Sequence, residues 1–192
     1  FFEAYRSVGE KNFKLLYESA KYSSTGTAHA RARKYADAAL GNVEKENLKS
    51  EISAKRNKDL LMSIGLLPLP TARKKREEEL FDRYQFIQNF KKESRQFGAQ
   101  RRANEGRAAE IALRNLSVNA GFSDVTRLIL RMETKLVEQA EEYFSWKPLE
   151  EIELVISVDE TGKSALLCRK DGKQLKSIPA KYKKDETVLK LK

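Results

Sequence analysis

The stretch from Arg114 to Tyr143 restricts this chain more than any other. Gly121 closes one helical pattern, and Ser123 or Asp124 stands where the next helix needs a cap. Val125, Leu128, Ile129, Met132, Leu136 and Ala140 then recur at helical spacing along one face. Two helices joined by so short a turn, the second with a wide apolar stripe, need other elements to cover them. The pattern predicts a helical array organised around this hairpin.

The residues before it have the same period. Glu3 to Lys21 reads as a helix weakened in its first half by Gly9, and Ser23-Ser24-Thr25-Gly26 is a break. Thr27 can cap an alanine-rich helix that runs to Leu40 and stops at Gly41, and its alanines let another helix approach closely. Val43 to Ile64 reads as one helix. Its stripe begins at Leu48 and Ile52, lapses through Lys55-Arg56-Asn57-Lys58 and resumes at Leu60, Leu61 and Ile64, which predicts an exposed middle. In Gly65-Leu66-Leu67-Pro68-Leu69-Pro70 each proline disfavours helix for the residue before it, so a short extended crossing is expected, with its leucines packed. Thr71 to Phe97 is a long helix opened by Arg73-Lys74-Lys75-Arg76, with Glu77, Glu78 and Glu79 spaced to pair with those cations. The next helix, about Gln100 to Ala120, presents Ala108, Ile111, Ala112, Leu116 and Asn119 on one side.

At Trp146-Lys147-Pro148 the period changes. Ile152, Leu154, Ile156 and Val158 alternate with Glu151, Glu153, Val155 and Ser157, the pattern of a half-buried strand. Asp159-Glu160-Thr161-Gly162 is a turn, Lys163 to Arg169 a second strand, Asp171-Gly172 a hairpin turn, and Lys173 to Ile178 a third strand. Pro179 ends the meander, and Lys181 to Lys192 begins another helix. The fold class is therefore mainly α: about six helices in hairpins, solenoid-like, with a small C-terminal antiparallel β-meander. Four segments follow from these boundaries: an N-terminal helical segment 1–64, central helical hairpins 71–145, the meander 146–180, and the start of a truncated helix 181–192. Phe1 in place of methionine and the polar run to Lys192 read as cuts in a longer polypeptide.

Enzyme chemistry has no foothold in these residues. One cysteine, Cys168, excludes an internal disulfide and any cysteine-cluster zinc site, and one histidine, His29, excludes a His-rich metal site. Cys168 reads as a packed thiol and His29 as a structural residue. Glu150, Glu151 and Glu153 invite a paired-carboxylate reading, but on a strand Glu151 and Glu153 share the wet face. No Gly-rich phosphate loop, nucleophile elbow or zinc spacing occurs. We expect no catalytic residues, no cofactor and no metal. No apolar run of about 18 residues occurs, so no membrane partner is expected, and the cysteine usage suggests the cytoplasm.

Charge supplies the remaining hypothesis. The formal net charge is +10, from 38 Lys and Arg against 28 Asp and Glu. Arg73, Lys74, Lys75 and Arg76, with Arg101 and Arg102, could line an anion- or nucleic-acid-binding face. Phe86, Phe90 and Phe97 lie among the basic residues at a spacing that suits a buried helix face better than base stacking. The tail is more one-sided. From Lys163 onward ten cations, including Lys173, Lys176, Lys181, Lys183 and Lys184, stand against Asp171, Asp185 and Glu186, a surplus of seven. Mixed charge on solvated helices gives the same composition, so the leading expectation is a scaffold or interaction module that binds other domains of its parent chain or a protein partner. Nucleic acid is the alternative partner, and the sequence leaves the oligomeric state open.

Two blocks carry a family resemblance. Ala112-Leu113-Arg114-Asn115-Leu116-Ser117-Val118-Asn119-Ala120-Gly121-Phe122-Ser123-Asp124-Val125-Thr126-Arg127-Leu128, followed by Asp171-Gly172-Lys173-Gln174-Leu175-Lys176-Ser177-Ile178-Pro179-Ala180, resembles the large bacterial family of unknown function found with WGR domains in MolR-like proteins. The resemblance covers about residues 106–184. It implies an internal fragment of a cytoplasmic multidomain protein with no established reaction, and through the company of WGR domains it raises a nucleic-acid association. The chain contains no Trp-Gly-Arg: Trp146 is followed by Lys147-Pro148.

Overall fold

A computed structural model describes residues 2–22 and 25–191, which divide into two compact units, 1–129 and 130–192. Ser23, Ser24 and Lys192 lie outside the described residues.

In the first unit the helix ends follow local chemistry. Gly9 splits the first segment into α1 (Phe2–Val8) and α2 (Glu10–Ser19). α3 (Gly26–Ala39) starts one residue before Thr27, with Thr25 in the cap position and no side-chain bond there. The expected single helix over 43–64 is two helices, α4 (Lys45–Lys55) and α5 (Lys58–Ile64). Between them Arg56 adopts left-handed backbone (φ 48), and Asn57 Oδ1 accepts from the amides of Asp59 and Leu60, which starts a new helix.

α5 explains how this unit is filled. Leu60 to Ile64 are all buried, and a helix buried on every side must be surrounded. It packs against α3, α4 and α7 (Ala99–Asn119). The buried Ala36, Ala38 and Ala39 of α3 and Ala108, Ala109 and Ala112 of α7 keep those neighbours close. At its end Gly65 leaves no space for a side chain: a Cβ there would lie 2.4 Å from the Ala112 carbonyl oxygen and 2.7 Å from the Leu116 amide nitrogen. α6 (Arg73–Glu93) joins α7 through a 3-10 turn at Ser94–Gln96 and packs along it, burying Tyr84, Ile87 and Phe90. Each such side chain contributes about 1.5–3 kcal/mol. Ile111, expected on the buried side of α7, is exposed, and Ala109 and Leu113 take the inward positions.

The organising turn forms as its residues require. Gly121 (φ 80) closes α7, with the amides of Gly121 and Phe122 bonded to the carbonyls of Val118 and Ser117, a closure that needs the positive φ glycine adopts freely. Asp124 Oδ1 accepts from the Arg127 amide at the start of α8 (Val125–Ala140). Leu128 and Met132 are buried and Val125, Ile129, Leu136 and Ala140 half-buried, so the predicted stripe is the covered face. The boundary between the two units falls inside α8.

The second unit is built on an antiparallel meander in the order β1 (Lys147–Leu149), β2 (Ile152–Val158), β3 (Ser164–Lys170), β4 (Lys173–Gln174). Leu154 pairs with Cys168 and Ile156 with Leu166. Ile152, Leu154 and Cys168 pack with Ile178, Tyr182 and Val188. β1 has no alternating signature in the sequence, being three residues long and containing Pro148. The strand expected over 173–178 stops at Gln174. Ala180–Tyr182 forms a 3-10 turn, and α9 (Glu186–Lys190) begins only after Asp185, whose Oδ1 accepts from the Thr187 and Val188 amides. Nine α-helices are thus formed among the described residues where the sequence suggests about six.

Candidate functional site

The first unit contains two clusters of charged groups, both assembled from distant residues. In the first, the guanidinium of Arg56 lies over the Phe90 ring at 3.9 Å, with its side chain only 11% exposed. Its Nη2 donates to Glu105 at 2.7 Å and to the Phe90 carbonyl at 2.9 Å, and its Nη1 donates to Glu93 at 2.8 Å. Glu105, 2% exposed, also accepts from Nε of Arg101 at 2.9 Å, and Arg101 covers the Phe97 ring at 3.7 Å. Burial pushes the Glu105 carboxyl up, but the hydrogen bonds from Arg56 and Arg101 outweigh it and hold its pKa below the ordinary value. Within the lapse Lys55 and Lys58 are exposed as expected, but Arg56 is a tie between the α4–α5 junction, the end of α6 and the start of α7.

The second cluster holds the Gly65–Pro70 crossing. Buried Arg83 donates to the Leu67 carbonyl at 2.6 Å, to the Pro68 carbonyl at 2.9 Å and to Glu79 at 2.7 Å. Asn119 Nδ2 donates to the Gly65 and Leu67 carbonyls, and Asn115 Nδ2 to that of Met62. The carbonyls left open at the end of a short helix thus find partners on α6 and α7. Glu79 and Asp82 also take Lys45, and Asp82 takes Lys49. Burial lowers the Lys45 pKa, but its bonds to Glu79 and Asp82 more than reverse this and raise it well above the usual lysine range. Burial likewise raises the Glu79 and Asp82 carboxyls, and their cations bring both below normal. Lys45, Glu79, Asp82 and Glu105 are thus each shifted toward the ionised form by their partners, and the two clusters tie separate helices together.

Within the first unit the basic residues singled out from sequence fall into two groups at opposite ends of the α6–α7 hairpin. Arg73, Lys74 and Lys75 are exposed at the start of α6, whereas Arg76 turns inward and donates to the Ala120 carbonyl at 3.1 Å. That places the basic opening beside the C-terminal end of α7, where a cation is favoured. Arg101 and Arg102 stand at the other end of the same hairpin, and α6 alone, at 21 residues, spans about 30 Å. Glu79, expected to answer the basic opening, is committed to Lys45 and Arg83. In the second unit the surplus of the tail is reduced by acids that precede it: Arg169 pairs with Glu153, Lys170 with Glu151 and Lys181 with Glu150. Counting those three acids brings seven down to four. Lys173, Lys176, Lys183 and Lys184 remain exposed. Of the pair expected on the wet face of a strand, Glu153 is half-buried on β2 and Glu151 stands exposed with Glu150 in the turn before it; each of the three has its pKa lowered by the hydrogen bond from its cation. Cys168 is buried, and burial raises its thiol pKa. His29 is half-buried against the Tyr17 ring, 5.2 Å between centroids. Among the described residues no group of three or more His, Cys, Asp and Glu could hold a metal ion, and no helix is long and apolar enough to cross a membrane.

A family of unknown function, DUF5724, matches residues 1–132, more than two thirds of the chain. The chain belongs to this family. The DUF5724 match ends inside α8, close to the boundary between the two units, and covers both charge clusters. It shares only residues 106–132 with the stretch that resembles the WGR-associated family, and nothing links DUF5724 to WGR or MolR. No curated protein and no solved structure matches the chain.

Proposed function

We propose that the chain is a non-enzymatic interaction module of a larger cytoplasmic bacterial protein, WGR-associated and MolR-like as the sequence resemblance implies. The observation that carries the reading is the contrast on α7. Its buried side is closed by α5 and α6 and its buried charges are saturated, whereas Val118, 72% exposed, and Ile111 remain on the open side. A face of this kind suits a protein partner and offers nothing to a reaction. The test is photo-crosslinking in the host cells with p-benzoylphenylalanine at Val118. A discrete adduct is expected, identified by mass spectrometry. Absence of any adduct would count against the reading, and so would a reproducible turnover abolished by substitution of a single carboxylate.

A second reading, nucleic-acid binding, is favoured by Arg73, Lys74 and Lys75, which are exposed together on one helical turn. Fluorescence anisotropy with labelled duplex and single-stranded DNA and RNA at about 50 and 200 mM salt tests it. Binding that falls steeply with salt and is lost in R73E/K74E/K75E supports it. No binding at the lower salt removes it.

A further inference from the structure

We propose that the chain associates with a second copy of itself by antiparallel pairing of α7 in one molecule with the C-terminal half of α8 in the other. The proposal rests on the interaction-module reading and names its partner. Arg107, Ile111, Arg114 and Val118 follow one another at spacings of four, three and four, and all four are exposed. This spacing draws one stripe on a helix, on the side of α7 away from the buried Ala108, Ala112 and Leu116.

A stripe with the same spacing lies on α8. Leu130, Thr134 and Val137 of α8, followed by Glu141 in the next turn, are all exposed and lie on a different face from the buried Leu128 and Met132. Glu138 is exposed beside them. Run antiparallel, the two stripes are in register over the length of α8, with Glu141 at the start of the 3-10 turn Glu141–Phe144 that follows it. Val118 faces Leu130, Ile111 faces Val137, Arg114 meets Thr134 with Glu138 alongside, and Arg107 meets Glu141. The apolar residues coincide, Arg107 meets the glutamate of the other stripe, and Arg114 lies toward Glu138 beside it. Arg107, Arg114, Glu138 and Glu141 form no ion pair among the described residues. Because one chain presents both halves of a matched seam, a second copy supplies the complement without any other protein.

Sedimentation velocity of the full chain over a concentration series tests the proposal. The expected result is a rise from monomer to at least dimer mass. V118D and V137D should each raise the dissociation constant by about tenfold or more. Both positions are exposed, so an unchanged circular dichroism spectrum confirms that these variants fold. R107E and E141R should each weaken association, and the double variant should restore it. A monomer at every concentration would overturn the proposal, as would association indifferent to V118D and V137D. The Val118 crosslink separates the two readings. An adduct with a different protein, from a chain that sediments as a monomer, removes self-association and leaves the module reading standing.

Discussion

Arg56 and Glu105 show what a single residue contributes in this fold. The pair is buried, so removing one partner strands the other charge: Glu105→Ala should cost about 3–5 kcal/mol in urea denaturation. Replacing both, R56M/E105L, should cost much less than the sum, because Arg101 and Glu93 are exposed enough to turn into solvent. Additive losses would show that the pair is not coupled. The acid side follows from the Glu105 carboxyl, whose folded pKa lies below its ordinary value of 4.5. A depressed carboxyl stabilises the folded state above the unfolded value, and the contribution is lost as pH falls through the folded one. Urea midpoints of the parent chain should therefore drop below about pH 4.5, and Glu105→Gln should flatten that drop. Nothing in the order of residues marked Arg56 as buried. A charged run reads as a solvated surface, and its burial depends on Glu105, 49 positions away.

At the scale of the element, the helix boundaries respond to one or two groups each. Asn57→Ala removes the acceptor for the Asp59 and Leu60 amides and should cost about 1 kcal/mol, read as a lower urea midpoint with the helical spectrum retained. Gly65→Ala should cost about 3 kcal/mol, since its Cβ would meet backbone of α7 that cannot give way as a flexible side chain would. A neutral Gly65→Ala would mean that α5 and α7 can separate there. The cap at Asp124, the breaks at Gly41 and Gly121 and the Asp171-Gly172 turn were legible because each is a local conformational demand, whereas Gly9 reads from sequence only as a weak point in one helix. The division of 43–64 was not, because both halves have good helical composition and the break combines the Asn57 cap with an Arg56 backbone turn whose side-chain partners are distant in sequence.

The chain divides into two compact units, and Ile152, Leu154, Cys168, Ile178, Tyr182 and Val188 form a buried cluster within the second. Cys168, the sole cysteine, is buried in the second, so its reaction with a thiol reagent reports the opening of the sheet. Glu105→Ala lies in the first unit and should leave the rate of Cys168 labelling in native buffer unchanged while lowering the urea midpoint of the helical signal. A parallel acceleration of labelling would show that the two units unfold as one.

Periodicity and turn chemistry alone sufficed for the mainly α class, the α8 stripe and the existence of a C-terminal meander, since these depend on neighbours within a few residues. Which polar residues are buried, which carboxylates neutralise the lysine-rich tail and which basic residues share a surface are long-range matters. They were decided when α5 was enclosed by α3, α4 and α7, when α6 and α7 set Arg73 and Arg101 at opposite ends of a hairpin, and when β2 brought Glu153 beside Arg169. The physical reason is that a charge is assigned by whatever faces it in space, and a one-dimensional pattern gives its distance along the chain only.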